Sequence, residues 1–140
     1  MKTKKKKIFL KVLAVILAVI AALIGITTVI TVIGLNANIN KAQSFPAVEG
    51  EEFIVENPSA GVWNIYSDRG LKVMQLSDTH FGGGWLSIKK DSMALNAVAA
   101  MIAAEKPDLV IVSGDVSYPV PFQAGTFNNK SGAKLLAELM

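Results

Sequence analysis

The hydrophobic pattern separates a long apolar segment from a mixed region of short polar and apolar runs. From Val12 to Leu35, 24 consecutive residues carry no charge, and most are valine, isoleucine, leucine or alanine. As a helix this run would be about 36 Å long, which exceeds the roughly 30 Å of a bilayer's hydrocarbon core. The pattern favours an uncleaved signal anchor. A cleaved signal peptide and a buried soluble helix are the alternatives, although the run is long for a signal and places bulky Leu35 where cleavage needs a small residue.

Basic residues are concentrated beside this run. Six of the 14 lysines and arginines lie in the first eleven positions, so residues 12–140 hold eight bases against eleven acids. The cluster predicts a cytoplasmic amino terminus, and it gives no reason to infer nucleic-acid binding. We expect a single-pass cell-membrane protein with its domain outside the cell. Its predicted parts are a basic tail (1–11), a transmembrane anchor that contacts the membrane (12–35), a linker (36–50) and a domain (51–140).

The domain region starts with two β-prone segments. Glu52–Val55 and Gly61–Tyr66 flank Asn57-Pro58-Ser59, which is typical of a turn. We expect a hairpin at the edge of a sheet.

A strand, a helix and a second strand are predicted next. Leu71–Leu76 is a short apolar strand, Asp91–Glu105 has helical periodicity with Asp91 or Ser92 as its cap, and Leu109–Val112 has the continuous apolar pattern of a strand buried on both faces. A connection of this length joins parallel strands, which predicts an α/β fold.

Polar side chains follow both of these strands. Asp78 and His80 come after the first strand and Asp115 after the second, at the edge where α/β sheets carry their chemistry. In an extended segment Asp78 and His80 would point to the same side and could share one metal ion. Their mixed oxygen and imidazole ligands suit manganese, iron or zinc. Taken singly, His80 would be an ordinary histidine and Asp115 a turn residue; their joint placement favours metal ligands.

These residues resemble the first two motifs of the calcineurin-like metallophosphoesterases. Leu-Ser-Asp78-Thr-His80 matches the Asp-x-His motif, and Ser-Gly-Asp115 matches the Gly-Asp motif. The resemblance covers about residues 71–116 and implies a sandwich of two mixed sheets with helices outside. It also implies two divalent metal ions and a phosphate mono- or diester substrate. Asp78 and His80 would bind the first ion, and Asp115 would bridge both.

The family's later motifs, Gly-Asn-His and Gly-His-x-His, do not occur, since His80 is the only histidine. We therefore expect these 140 residues to be the front part of a longer enzyme and to be inactive alone. No catalytic residue beyond the ligands is identified, and the substrate-binding residues are unknown; Trp85 and Pro119–Phe122 border the motifs. A catalytically silent, membrane-anchored binding module is the alternative function.

The lysine cluster and the apolar run generate a topology prediction. Protease added to intact cells should degrade the region after Asn36 and spare the lysine tail. A reporter that is active only in the cytoplasm should be inactive when it is fused after residue 50, and strong activity would reverse the orientation.

Overall fold

The computed structural model describes residues 2–49 and 53–140. Residue 1 of the predicted tail lies outside the described residues, as do residues 50–52, which include the predicted linker–domain boundary and the start of the first predicted strand. The fold is mixed helix and sheet with one long apolar amino-terminal helix, as the sequence predicted. The elements are α1 (Lys2–Ser44), β1 (Ile54–Ser59), β2 (Val62–Tyr66), β3 (Val73–Leu76), α2 (Ile88–Glu105), β4 (Leu109–Val112), a 3-10 helix (Pro121–Ala124) and α3 (Lys130–Leu139).

Helix α1 is long and apolar enough to cross a membrane. Its apolar stretch is not buried against the rest of the molecule. The hydroxyls of Thr27, Thr28 and Thr31 each donate to a backbone carbonyl three or four residues earlier in the helix. These polar groups are therefore satisfied within the helix, as a hydrocarbon environment requires.

The end of α1 differs from the predicted linker. The helix continues through residues 36–44 and packs on the domain, where Ala42 is buried in the core and Leu35 and Ile39 lie against it. The Asn38 side chain donates to the carbonyl of Ile88 at 2.9 Å. The segment has a linker's polar composition, but its apolar residues recur at helical spacing and form a packing stripe.

The β3–α2–β4 unit holds the candidate site. Strands β3 and β4 pair in parallel, with Val73 opposite Leu109 and Leu76 opposite Val112. Helix α2 begins at Ile88, three residues before its predicted start. The core lies between α1, α2, α3 and this sheet and contains Leu76, Phe81, Leu95, Val98, Leu135 and Leu136.

Strand β4 is less buried than its apolar sequence predicted. Val110 packs against the core, but Ile111 and Val112 are 45% and 38% exposed. In the described part of the chain the sheet has two strands, and Ile111 and Val112, which point to opposite faces of β4, are both partly exposed.

The predicted hairpin exists, but its place and its turn differ from the prediction. Strands β1 and β2 pair antiparallel, with Ile54 opposite Tyr66, and form a separate two-stranded sheet. The segment Asn57-Pro58-Ser59 belongs to β1, and the register shifts between Glu56 and Ser59. Pro58 lacks a backbone N–H, so it interrupts the pairing as a bulge does. The chain reverses at Gly61, whose φ of +80° suits glycine.

An ion pair fixes the ends of β3 and β4 that lie away from the candidate site. The Arg69 guanidinium donates to both oxygens of Asp108 at 2.7 and 2.9 Å, and the Lys72 backbone N–H donates to Asp108 at 2.7 Å. These hydrogen bonds lower the pKa of Asp108 to about 2, and the bond from Arg69 has a larger effect than the bond from Lys72. The Asp108 side chain is only 7% exposed, so this pair is better shielded than an ordinary surface pair.

We predict that Asp108→Asn lowers the thermal unfolding midpoint at neutral pH. A depressed folded-state pKa stabilises the fold above the usual pKa of about 4, and the effect is lost as pH falls toward about 2. The difference in unfolding midpoint between the variant and the parent protein should therefore shrink as the pH falls from about 4 toward about 2. Circular dichroism melts in detergent measure this difference. Glu105→Gln is the control, because Lys72 and Glu105 pair at 2.7 Å with both side chains more than half exposed. A midpoint unchanged by Asp108→Asn would contradict this role.

Candidate metal centre

Three potential metal ligands converge beyond the carboxyl ends of β3 and β4. Asp78 and His80 follow β3, Asp115 follows β4, and their ligand atoms lie within 4.8 Å of one another. The structure thus brings together all three residues that the sequence singled out.

Backbone hydrogen bonds extend the strand pairing into these two loops. The N–H of Asp78 donates to the carbonyl of Gly114 at 3.2 Å, and the N–H of His80 donates to the carbonyl of Asp115 at 3.0 Å. The N–H of Phe81 continues the series to Val116 at 2.8 Å. The Phe81 side chain is fully buried and anchors the end of this series in the core.

The three ligand residues share an unusual backbone conformation. Asp78, His80 and Asp115 have φ angles of +54°, +45° and +43°, in the left-handed region. This region costs a non-glycine residue about 1–2 kcal/mol, and such strain clusters at functional sites. The segment is therefore not extended as predicted. The left-handed backbone at these residues, held by hydrogen bonds between the two loops, brings the side chains together.

The electrostatics suit a divalent cation. The carboxylates of Asp78 and Asp115 approach each other, and neither has a lysine or arginine partner among the described residues. His80 Nε2 lies 3.7 Å from Asp78 Oδ1, too far for a hydrogen bond, and His80 Nδ1 is buried without a partner. Nε2 is the nitrogen that faces Asp78, so this nitrogen and the two carboxylates offer a donor set that fits a divalent cation.

The glycine loop after His80 is held by a buried carboxylate. Asp91, 2% exposed, accepts from the N–H of Gly82 at 2.8 Å, the N–H of Gly83 at 2.9 Å and the hydroxyl of Ser87 at 2.8 Å. The sequence predicted Asp91 or Ser92 as the helix cap, but Ser87 occupies that position. Asp91 lies one turn inside α2 and faces back to the loop.

This loop is packed tightly against α3. Gly83 has a φ of +65°, and a side chain there would collide with Ser131 and the backbone of Gly132. A side chain at Gly132 would in turn collide with the Phe81 carbonyl. Because the N–H groups of Gly82 and Gly83 both donate to Asp91, neither group is available to bind a phosphate.

Two supporting residues were missed by the sequence analysis. Asp91 was interpreted as a helix cap because its hydrogen bonds to the glycine loop form only when the chain folds back. The Tyr118 ring lies 5.8 Å from the His80 ring, centroid to centroid. Its position three residues after Asp115 is the only sequence signal for that contact. The Trp85 ring lies over Gly125, and Phe122 is 66% exposed, so neither is shown to line the metal ligands.

No protein-family model, no curated protein and no solved structure matches this chain. The functional assignment therefore depends on the geometry of the residues described above.

We predict that Asp91→Ala destabilises the domain by about 3 kcal/mol, because it leaves the buried N–H groups of Gly82 and Gly83 without an acceptor, while the Ser87 hydroxyl keeps the Gly84 carbonyl. Asp91→Asn should recover only part of this loss, since its NH₂ group would face another donor. Urea unfolding measures both effects. Met93→Ala is the matched control, because Met93 lies on the same helix and is 61% exposed. Equal stability of Asp91→Ala and Met93→Ala would contradict the role given to Asp91.

Proposed function

We propose that this chain forms the metal-binding part of a membrane-anchored, outward-facing phosphoesterase. The observation that carries the proposal is the convergence of Asp78, His80 and Asp115 at the ends of two parallel strands. Their agreement with the Asp-x-His and Gly-Asp motifs supports the calcineurin-like class and its sandwich fold.

The three side chains would hold one divalent cation, with Asp115 also free to bridge to a second. Manganese, iron and zinc fit this donor set. Bound there, such cations supply Lewis-acid polarisation of a phosphoryl oxygen and lower the pKa of water. In the hydrolysis itself, water delivers a hydroxyl group to phosphorus, the ester P–O bond breaks, and the leaving alcohol takes up a proton.

This chain's own residues contribute position and charge. The two loops hold the ligands through backbone bonds that do not depend on a cation, so little reorganisation accompanies binding. Asp78 is 67% exposed, which leaves the ligand set open to a substrate from solvent. The Tyr118 ring beside His80 restricts how the imidazole can turn.

The orientation and the cellular location belong to the same proposal. Helix α1 has the length and hydropathy of a membrane span, and Lys5, Lys6, Lys7 and Lys11 lie at its amino-terminal end. Retention of these lysines in the cytoplasm would place the metal ligands outside the cell membrane.

Metal binding tests the ligand set directly. Manganese titration followed by electron paramagnetic resonance should detect one site in the detergent-solubilised chain. Asp78→Asn, His80→Gln and Asp115→Asn should each weaken binding by about tenfold or more. Asp68→Asn is the matched control, because it removes an exposed carboxylate outside the cluster. Affinity unchanged in all three ligand variants would refute the site.

Hydrolysis tests the reaction. The protein purified from its native cells should cleave bis(p-nitrophenyl) phosphate, and the cleavage should depend on manganese. Asp115→Asn should reduce its kcat by about two orders of magnitude or more. Metal binding without turnover would favour the silent binding module. Near-normal turnover by Asp115→Asn would exclude Asp115 as a ligand to the reacting centre.

A further inference from the structure

Helix α1 approaches the domain at the amino-terminal end of α2. Gly34 lies so close to Ile88 that any side chain on the glycine would collide with it. About two helical turns further along α1, Lys41 Nζ donates to Ser92 Oγ at 2.8 Å. Residues further along α1, beyond its apolar run, therefore contact residues further along α2, so the two helices run in the same direction. The membrane-spanning part of α1 extends from the end of the domain where α2 begins.

The metal ligands lie at this same end. The loop that follows His80 is bonded to Asp91 in the first turns of α2, through Gly82 and Gly83. Helix α3 starts there as well, since Gly83 packs against Ser131. The edge of the sheet that carries the ligands is therefore the edge nearest the span.

Four large apolar side chains are exposed at this end, and we call them the aromatic rim. Trp85, Leu86, Phe122 and Phe127 are 40%, 50%, 66% and 81% exposed. The Trp85 and Leu86 side chains both lie against Gly125, and the Leu86 N–H donates to the carbonyl of neighbouring Ala124 at 3.1 Å. The rings of Phe122 and Phe127, on either side of that segment, meet edge to face at 5.3 Å. Exposed aromatic groups next to a membrane span are typical of the bilayer interface.

Charged side chains lie at both ends of the domain. Lys89, Lys90 and Lys130 are exposed in the first turns of α2 and α3, and none has an acidic partner among the described residues. Exposed Glu105 ends α2, and Glu138 lies in the last turn of α3. The end nearest the span therefore presents three exposed lysines beside the carboxylates of Asp78 and Asp115, and the lysines are attracted to lipid phosphates.

We propose that the aromatic rim docks onto the bilayer spanned by α1, with Trp85 at the depth of the lipid headgroups. The occupant is the lipid surface because the rim adjoins the helix that enters it and because lysines flank the rim. The proposal rests on the anchoring by α1 and on no property of a bound metal.

The two tryptophans of the chain make the test specific. Trp63→Phe leaves Trp85 as the reporter on the rim, and Trp85→Phe leaves Trp63, which is 65% exposed on the separate β1–β2 sheet. Each full-length variant is reconstituted into nanodiscs of phosphatidylcholine and phosphatidylglycerol. Lipids brominated near the headgroup end of the acyl chains then quench tryptophans that lie in the interface.

We expect the brominated lipids to remove about half or more of the Trp85 emission, with a shift to shorter wavelength, and to leave Trp63 nearly unchanged. Aqueous iodide should show the opposite preference. Equal lipid quenching of both tryptophans would overturn the proposal. Protection of Trp85 from lipid and iodide alike would mean that a protein surface covers the rim, which would also overturn it.

A second pair of variants separates docking from anchoring. Phe122→Ser/Phe127→Ser in the Trp63→Phe background should reduce lipid quenching of Trp85, whereas Val55→Ser/Val62→Ser, at exposed hairpin positions, should not. Flotation with the lipid should be the same for all variants, because α1 supplies it. Loss of flotation would refute the anchor, whereas retained flotation without Trp85 quenching would refute the docking alone.

Discussion

The parallel pairing of β3 with β4 is the constraint on which the candidate site depends. Four residue pairs form the ladder from Val73–Leu109 to Leu76–Val112, and the same chains stay bonded through the loops to Phe81 and Val116. Within those loops the backbone turns left-handed at each ligand. The pairing offsets that strain, so the position of every ligand atom depends on main-chain bonds between the two segments. The Asp91 carboxylate adds a third support by holding the glycine loop that follows.

The sequence was sufficient to predict which residues meet, because strand periodicity and the rule for parallel sheets place Asp78, His80 and Asp115 at one edge. It was not sufficient to predict how they meet. Alternation along an extended strand suggested a shared side for Asp78 and His80, whereas positive φ angles at both residues produce the proximity. Those angles follow from bonds to the other loop, and such contacts between distant segments leave no local signal.

The errors in the fold prediction have a related cause. Residues 36–50 were interpreted as a linker because they are mostly polar and small and include Pro46, yet contacts with α2 and α3 keep residues 36–44 helical. Apolar β4 was expected to be covered on both faces, but side chains on both of its faces are partly exposed, because distant segments decide what packs over a strand. The sequence predicted an element well where the element's own residue pattern determines its structure. It predicted an element poorly where packing against another element determines the structure.

The apolar part of α1 has hydrophobic side chains on every face, so no stripe distinguishes one side from another. A bilayer therefore sets the depth of this helix but not its rotation about its own axis. Because α1 runs without a break into the domain, the depth of the helix in the bilayer would also fix the height of the candidate metal ligands. The whole chain would remain free to rotate in the membrane plane. In a bilayer the candidate site would therefore stay at a constant height above the lipid, and it would meet a molecule held in the same bilayer by diffusion in two dimensions.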